Sequence, residues 1–204
     1  MKLLTQGIAT LKLSLSPEQQ QQLCDFVRLL QKWNRAFNLT AICEPAKIVT
    51  HHLLDSLSIA PYITAGPVLD IGTGAGFPGV PLAIAFPHYH FTLLDGNGKK
   101  IRFLTQVKNS LGLTNIEPQQ QRVEQLEARQ PHYAIITARA VADLATLVTE
   151  SEKLLVPNGR WLLMKGQYPE KELQGLSFPA KVHPLNVPGM DAARHVVEVI
   201  KSHA

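Results

Sequence analysis

The segment VLDIGTGAGFPGVPLA, residues 68–83, places four glycines and two prolines between apolar ends. Glycine has no Cβ and accepts positive φ angles, so a ligand can approach its main chain closely. A tight turn from a strand into a helix needs only one or two glycines, whereas Gly72, Gly74 and Gly76 stand at alternate positions after Asp70. The pattern therefore indicates a ligand-binding loop between a buried strand and a helix.

Apolar strands alternate with amphipathic helices on both sides of this loop. Such alternation is typical of an α/β fold, in which helices cover both faces of a mostly parallel sheet. Two extended stretches near the C-terminus have no helix between them, which predicts an antiparallel hairpin at one edge. The predicted strands are 68–71, 90–95, 115–120, 133–140, 160–165, 180–187 and 194–200, and the predicted helices are 16–38, 46–62, 99–112, 144–155 and one that ends at 86.

The first 65 residues have a different, purely helical pattern. Ser16, Pro17 and Gln19 form the signature of a capped helix start, and apolar residues then recur at spacings of three and four. This spacing also predicts that Trp33 and Phe37 pack in the core rather than stack on a ligand. We expect residues 1–65 to form a helical cap and residues 66–204 to form one compact α/β domain.

Composition narrows the class of protein. The chain has 204 residues with a net charge of +4 and a pI of about 9.1, a mildly basic balance that permits binding to a polyanion without requiring it. No stretch approaches the roughly 20 apolar residues that span a bilayer. Cys24 and Cys43 lack metal-type spacing and suggest reduced thiols. We expect a cytoplasmic monomer without membrane contact.

The glycine spacing and a later acid indicate a nucleoside ligand. The dinucleotide pattern G-x-G-x-x-G needs a glycine at position 77, where this chain has Phe77, so an NAD oxidoreductase is disfavoured. No lysine follows the glycines as in a phosphate-binding P-loop. Asp95 ends the second predicted strand, 23 residues after Gly72. A carboxylate there can accept two hydrogen bonds from a ribose diol.

Six segments, one of which contains the glycine loop, make a specific resemblance. The loop motif D-x-G-x-G-x-G, followed by an acid that closes the second strand, resembles class I S-adenosylmethionine-dependent methyltransferases. Within that superfamily, the order of the motifs is similar to that of the RsmG (GidB) family. The motifs are KWNRAFNLTAI (32–42), HHLLDSL (51–57), VLDIGTGAGFPGVPLAIAFP (68–87), LLDGNGKKIRFL (93–104), ITARAVADL (136–144) and LMKG (163–166).

The resemblance implies a fold, a cofactor, a substrate and a set of residues. It implies a Rossmann-like class I methyltransferase that uses S-adenosyl-L-methionine to methylate N7 of a guanine in bacterial 16S rRNA, either as RNA or in the small ribosomal subunit. The implied cofactor-binding residues are Asp70, Gly72, Gly74, Gly76, Phe77, Asp95, Val123, Glu124 and Arg139. We assign Lys165, Lys100, Arg102, Arg35 and His51 to RNA binding.

Methylation at guanine N7 requires little catalytic machinery. N7 already carries a free lone pair, so no general base is expected, and catalysis comes from holding sulfur, methyl and nitrogen in line. Arg139 is the candidate catalytic residue, in a positioning role. A cation beside the sulfonium is unfavourable, so Arg139 is expected to anchor the cofactor carboxylate, a phosphate or guanine O6.

Two alternative functions remain open from the residues, whereas a metal site is disfavoured. His51, His52 and Asp55 share a helix face, as metal ligands can, but no further ligand cluster appears in the sequence, so no metal is expected. The chain is alternatively a class I methyltransferase of a protein or small molecule. It is alternatively a non-catalytic, nucleoside-binding RNA chaperone.

Overall fold

The N-terminal part of the fold consists of helices. The computed structural model describes residues 1–126, 132–140 and 143–201. It begins with helix α1 (Lys2–Thr10), which the sequence did not predict, and continues with α2 (Pro17–Phe37). Within the described residues, no helix combines the length and the apolar character needed to cross a membrane.

Helix α2 begins at the predicted capping box. Ser16 Oγ accepts from the Gln19 N–H at 3.2 Å, and Gln19 Oε1 accepts from the Ser16 N–H at 2.8 Å. Trp33 packs against Phe103 at 5.7 Å between ring centroids, as predicted for a core residue. The predicted burial of Phe37 is wrong, because this residue is 41% exposed. The helix ends at Phe37, whose ring lies outside that of Trp33.

The helix predicted at 46–62 is divided into four pieces. They are α3 (Pro45–Ile48), a π-helical stretch (Val49–Leu54), α4 (Asp55–Leu57) and a 3₁₀ turn (Ala60–Tyr62). A π-helical stretch changes the directions in which successive side chains point, and such stretches are frequent at functional sites. Here it contains His51 and His52 and ends next to Asp55.

A seven-stranded sheet forms the centre of the molecule. Its strands are β1 (Val68–Ile71), β2 (Phe91–Leu94), β3 (Ile116–Gln119), β4 (Tyr133–Arg139), β5 (Leu155–Lys165), β6 (Ala180–Pro184) and β7 (His195–Ile200). Their order is β3-β2-β1-β4-β5-β7-β6. Strands β1 to β5 are parallel, and β7 runs antiparallel between β5 and β6. The predicted α/β fold with an antiparallel C-terminal hairpin is confirmed.

Helices connect the parallel strands and cover the sheet. They are α5 (Gly79–Ala85), α6 (Gly98–Leu111) and α7 (Leu144–Ser151), and the short α8 (Glu170–Leu173) follows β5. One buried cluster joins the N-terminal helices, α5 and α6 to one face of the sheet, and a second, around Trp161 and α7, covers the other face. Phe26 of α2 stacks on Phe103 of α6, so the N-terminal helices share the larger core.

Strand β5 starts earlier than predicted. The prediction treated 157–159 as a turn before a strand at 160, whereas the strand begins at Leu155 and passes through this segment. Its pairing with β4 shifts register between Tyr133 and Ile135. A Cβ on Gly159 would lie 3.0 Å from the carbonyl oxygen of Ala134, so glycine lets the irregular strand stay close to β4.

Candidate active site

The glycine loop follows β1 with the predicted backbone conformation. Gly72, Gly74 and Gly76 have φ angles of 65°, 61° and 97°. A Cβ on Gly76 would lie 2.6 Å from Val80 Cγ2, so this glycine is required for packing within the loop. A Cβ on Gly74 would meet no protein atom closer than 3.9 Å, so the space over Gly74 is open to a ligand.

Asp70 lies beneath the loop rather than in a cleft. Its side chain is fully buried, and Oδ2 accepts a hydrogen bond from the Gly79 N–H at 2.8 Å. Burial raises the pKa of Asp70 to about 7, although the bond from Gly79 acts in the opposite direction. A Cβ at Gly79 would lie 2.6 Å from the same oxygen. Asp70 therefore holds the loop to the start of α5.

A first cleft opens at the carboxyl ends of β1 and β2, and we call it the cofactor cleft. Its volume is about 660 Å³, within the range of small-molecule sites. Four of the predicted cofactor-binding residues line it, namely Gly72, Asp95, Val123 and Glu124. The complete lining is Ile71, Gly72, Leu94, Asp95, Gly96, Asn97, Gln121, Arg122, Val123, Glu124, Leu147 and Glu150.

Asp95 is the buried carboxylate of this cleft. Oδ2 accepts from the Gly74 N–H at 3.0 Å and from Lys100 Nζ at 3.3 Å, and Oδ1 accepts from the Asn97 N–H at 2.8 Å. These bonds fix the orientation of the carboxylate. A carboxylate has about four lone-pair sites, so Oδ1 retains one for a ligand hydroxyl. Ile71, Leu94, Val123 and Leu147 provide apolar surface for a base. The cleft therefore fits an adenosine moiety.

A second cleft lies beside the first, over the ends of β4 and β5, and we call it the acceptor cleft. Its volume is about 380 Å³, and it is lined by Ile42, His51, His52, Asp55, Arg139, Ala140, Met164, Lys165, Gly166 and Arg194. Ile71 of the cofactor cleft is the register partner of Ala138, and Arg139 follows Ala138 in β4. Adjacent parallel strands thus place the two clefts side by side.

A buried carboxylate holds two arginines at the acceptor cleft. Asp55 is 2% exposed, and it accepts from Arg139 Nη1 at 2.9 Å and from Arg194 Nε at 3.0 Å. One negative charge faces two guanidinium groups, so this cluster carries a net positive charge. Arg139 also donates through Nη1 to the carbonyl of His51 and through Nη2 to His52. Two of its five N–H groups, on Nε and Nη2, remain for a ligand.

His52 is a neutral side chain beside Arg139. Its Nδ1 lies 3.2 Å from Arg139 Nη2 and 3.1 Å from the carbonyl oxygen of His51, and its Nε2 lies 2.9 Å from Thr40 Oγ1. Burial, and then the charge of Arg139, lowers the pKa of His52 to about 4. This residue therefore adds no positive charge to the cleft.

Phe77 is buried beside the acceptor cleft. Its ring stacks on that of His52 at 4.5 Å, and the Arg139 guanidinium carbon lies 5.1 Å from its centroid. Phe77 is 3% exposed and does not line the cofactor cleft. In the structure it is an apolar support for Arg139 and His52.

The residues assigned to RNA are distributed over several surfaces. His51 and Lys165 line the acceptor cleft, where Lys165 Nζ forms a 2.6 Å ion pair with Glu172 of α8. Lys100 pairs with Asp95, and Arg102 is exposed on α6. Arg35 lies on α2, outside both clefts, and lines a third cavity. Of these residues, the structure brings only His51 and Lys165 together with Arg139.

Sequence reasoning missed Arg194 and the pairing role of Asp55. Arg194 precedes β7, and its only signal was its place at the start of an extended stretch. The sequence pattern grouped Asp55 with two histidines on one helix face, whereas in the structure Asp55 binds two arginines. Within the described ranges, no group of three or more His, Cys, Asp or Glu side chains could hold a metal ion.

Comparison with known proteins decides the family. Residues 19–197 match the family model GidB, described as rRNA small subunit methyltransferase G. The chain belongs to the GidB family. Its GidB relatives include proteins named ribosomal RNA small subunit methyltransferase G. The one from Coxiella burnetii (strain Dugway 5J108-111) is 49% identical over 96% of both chains, and the one from Marinobacter nauticus is 48% identical over 98% of this chain and 94% of that protein.

Solved structures show the fold of this GidB chain. A SAM dependent methyltransferase from Aquifex aeolicus superposes with a TM-score of 0.59 at 16% identity, covering 78% of this chain and 94% of that chain. The tRNA (m1A58) methyltransferase TrmI from Aquifex aeolicus gives a TM-score of 0.61 at 14% identity, covering 74% of this chain and 69% of that chain. At these identities the likeness establishes the class I methyltransferase fold alone.

Proposed function

We propose that this chain transfers the methyl group of S-adenosyl-L-methionine to N7 of a guanine in 16S rRNA of the small ribosomal subunit. The observation that carries the proposal is the pair of adjacent clefts at the carboxyl ends of β1 and β4. One fits an adenosine moiety, and the other presents oriented arginine donors. Its target places the enzyme in the cytoplasm.

The cofactor cleft would hold S-adenosylmethionine through three features. Asp95 accepts from the ribose, Val123 and Glu124 contact the adenine side, and the open main chain at Gly72 and Gly74 faces the rest of the molecule. When bound, S-adenosylmethionine supplies a methyl group on a positively charged sulfur. Asp70 and Gly76 act beneath the surface, where they keep the loop in shape.

The acceptor cleft orients the base. Arg139 directs its free Nε and Nη2 donors at guanine O6 or a phosphate, and Asp55 fixes their direction. Such a contact leaves the N7 lone pair unoccupied, as methylation requires. The only carboxylate lining this cleft, within the described residues, is Asp55, which two arginines engage. Guanine N7 needs no deprotonation, so methyl transfer in this cleft requires no general base.

The helical cap contributes directly to this site. We propose that residues 1–65 act as a cap on the domain formed by 66–204, because His51, His52 and Asp55 of the cap line the acceptor cleft together with Arg139.

Methyl transfer is tested with labelled S-adenosylmethionine. The purified chain is incubated with small subunits and with bare 16S rRNA, and the product is mapped for N7-methylguanine. We expect incorporation at one guanine. Cofactor binding without incorporation would favour the non-catalytic alternative. Incorporation into a protein or small molecule, but into no form of this RNA, would identify a methyltransferase of another substrate.

A further inference from the structure

A third cavity, which we call the polar cavity, lies between α2 and α3. Its volume is about 670 Å³, similar to that of the cofactor cleft. It is lined by Gln31, Asn34, Arg35, Asn38, Thr40, Ala41, Cys43 and Ile48. None of these residues lines the cofactor cleft or the acceptor cleft. The two sites described above therefore leave its role unassigned.

The wall of the polar cavity is held in place by Asn34. This side chain is 9% exposed, its Nδ2 donates to the carbonyl of Thr40 at 3.0 Å, and its Oδ1 accepts from the Thr40 N–H at 2.8 Å. The two bonds attach the irregular segment 38–44 to α2. The cavity is therefore preformed, and a ligand does not have to order its wall.

The remaining polar side chains are available to a ligand. In the part of the chain that the structure describes, the side chains of Gln31, Arg35 and Asn38 form no hydrogen bond or ion pair. The lining contains one cation and no carboxylate. Amide groups offer both donors and acceptors, which suit the edges of nucleobases, and a guanidinium suits a phosphate.

Only a thin wall separates the polar cavity from the acceptor cleft. Ala41 and Cys43 line the polar cavity, whereas Ile42 between them lines the acceptor cleft. The same division recurs in the next helical segment, where Ile48 faces the polar cavity and His51 the acceptor cleft. A polymer that places one unit in the acceptor cleft can therefore place a neighbouring unit in the polar cavity.

We propose that the polar cavity binds a nucleotide of single-stranded RNA adjacent to the guanine that is methylated. Arg35 contacts its phosphate, and Gln31 and Asn38 contact the edge of its base. Proteins recognise single-stranded RNA by binding splayed bases individually, and an enzyme that works on one base must hold it away from its neighbours. The inference rests on the proposed function and adds a second nucleotide subsite to it.

Cys43 provides a direct probe of occupancy. It is an exposed thiol of the polar cavity, and Cys24 is the only other cysteine in the sequence. In a Cys24→Ser variant, the rate of alkylation of Cys43 by N-ethylmaleimide is measured alone, with S-adenosylmethionine, with bare 16S rRNA and with small subunits. At a free RNA concentration ten times its Kd, we expect RNA to slow the alkylation of Cys43 about tenfold. S-adenosylmethionine alone should leave this rate unchanged.

Substitution of Arg35 tests the phosphate contact. Arg35→Ala is expected to raise the KM for RNA about tenfold with little change in kcat, as the loss of one charged contact predicts. Arg28→Ala is the matched control, because Arg28 is an exposed arginine on the same helix that lies outside the polar cavity. It removes the same charge and should leave KM unchanged.

The outcomes separate this inference from the function on which it rests. Methylation by the unsubstituted chain, together with full reactivity of Cys43 in the RNA-bound enzyme, would overturn the subsite and leave the proposed function intact. The subsite is also wrong if Arg28→Ala and Arg35→Ala raise KM equally, or if a photocrosslinker on Cys43 reaches only ribosomal proteins. A lack of methylation in every RNA form would overturn both.

Discussion

The main-chain N–H of Gly74 donates to Oδ2 of Asp95 at 3.0 Å, which joins the glycine loop after β1 to the end of β2. The bond means that Asp95 has two tasks. It orders the loop, and it offers its remaining acceptor site on Oδ1 to a ligand. Loop geometry and cofactor affinity should therefore change together when this carboxylate is removed.

Asp95→Ala is expected to weaken binding of S-adenosylmethionine by between about tenfold and about 100-fold, because hydrogen bonds to a charged group contribute about 1.5–3 kcal/mol each. Isothermal titration calorimetry gives the affinity. Glu117→Ala is a suitable control, since Glu117 is a carboxylate of β3 outside the cofactor cleft. A folded Asp95→Ala protein with unchanged affinity would contradict the assignment of the cleft.

Substitution by alanine should affect stability and cofactor affinity differently at Gly74 and at Gly76. Gly76→Ala forces a Cβ against Val80 and Leu104, and overpacking of this kind costs about 1–3 kcal/mol of unfolding free energy in addition to the strain of its positive φ. Gly74→Ala adds only the strain of a positive φ, about 1–2 kcal/mol, but its methyl group extends into the open space over the loop, where we propose that the cofactor lies. Gly74→Ala is thus expected to lose cofactor affinity at a smaller cost in stability.

Thermal denaturation and calorimetry on both variants check this difference. If Gly74→Ala binds S-adenosylmethionine as tightly as the parent does, the loop does not contact the cofactor at this position.

Asp55 should matter more for stability than either of its partners. Asp55→Ala leaves two partly buried guanidinium groups without their shared carboxylate, and breaking a buried pair of this type costs about 3–5 kcal/mol. Arg139→Ala and Arg194→Ala each leave Asp55 with one partner, so each should cost less. Urea denaturation of the three variants provides the free energies of unfolding.

Arg139→Ala has an additional, kinetic signature. Its turnover in RNA methylation should fall far more than its loss of stability explains, because we propose that Arg139 positions the acceptor base. Arg160→Ala is the comparison, since Arg160 also forms an ion pair but lies outside both clefts. Parallel losses of turnover and melting temperature in Arg139→Ala would make the residue purely structural.

Asp70 makes the stability of the protein depend on pH between about 4 and about 7. Its pKa is raised from 3.8 to about 7 in the fold, so the folded state binds the proton more tightly than the unfolded chain. The stabilisation is fully present below about pH 4 and is lost as the pH rises through about 7. Relative to the parent, Asp70→Asn should therefore become more stable as the pH increases across this window.

His52 has the opposite effect over a similar range. Its pKa is lowered from 6.5 to about 4, so the stability contributed by the neutral ring is present above about pH 6.5 and is lost as the pH falls to about 4. Relative to the parent, His52→Gln should gain stability as the pH decreases. Denaturant titrations at several pH values measure both differences, and equal signs for the two slopes would show that one of the shifts is misassigned.

The sequence alone determined the features that depend on neighbouring residues. The alternating glycines, the capping box at Ser16 and the order of strands and helices are local patterns, because φ preferences and side-chain periodicity act over a few residues. The apolar pattern that ends at Asp95 placed this residue at the tip of β2. Its role then followed from the rule that ligands bind at the carboxyl ends of parallel strands. These patterns were sufficient for the fold class and for much of the cofactor cleft.

Only the tertiary structure decided which distant side chains meet. Asp55 lies 84 residues from Arg139 and 139 residues from Arg194 along the chain, and no local pattern relates them. The tertiary structure also buries Phe77 against His52 and pairs Lys165 with Glu172. Contacts of this kind depend on the packing of the helical cap against the sheet, because charge and burial are properties of the assembled surroundings and not of a residue's sequence neighbours.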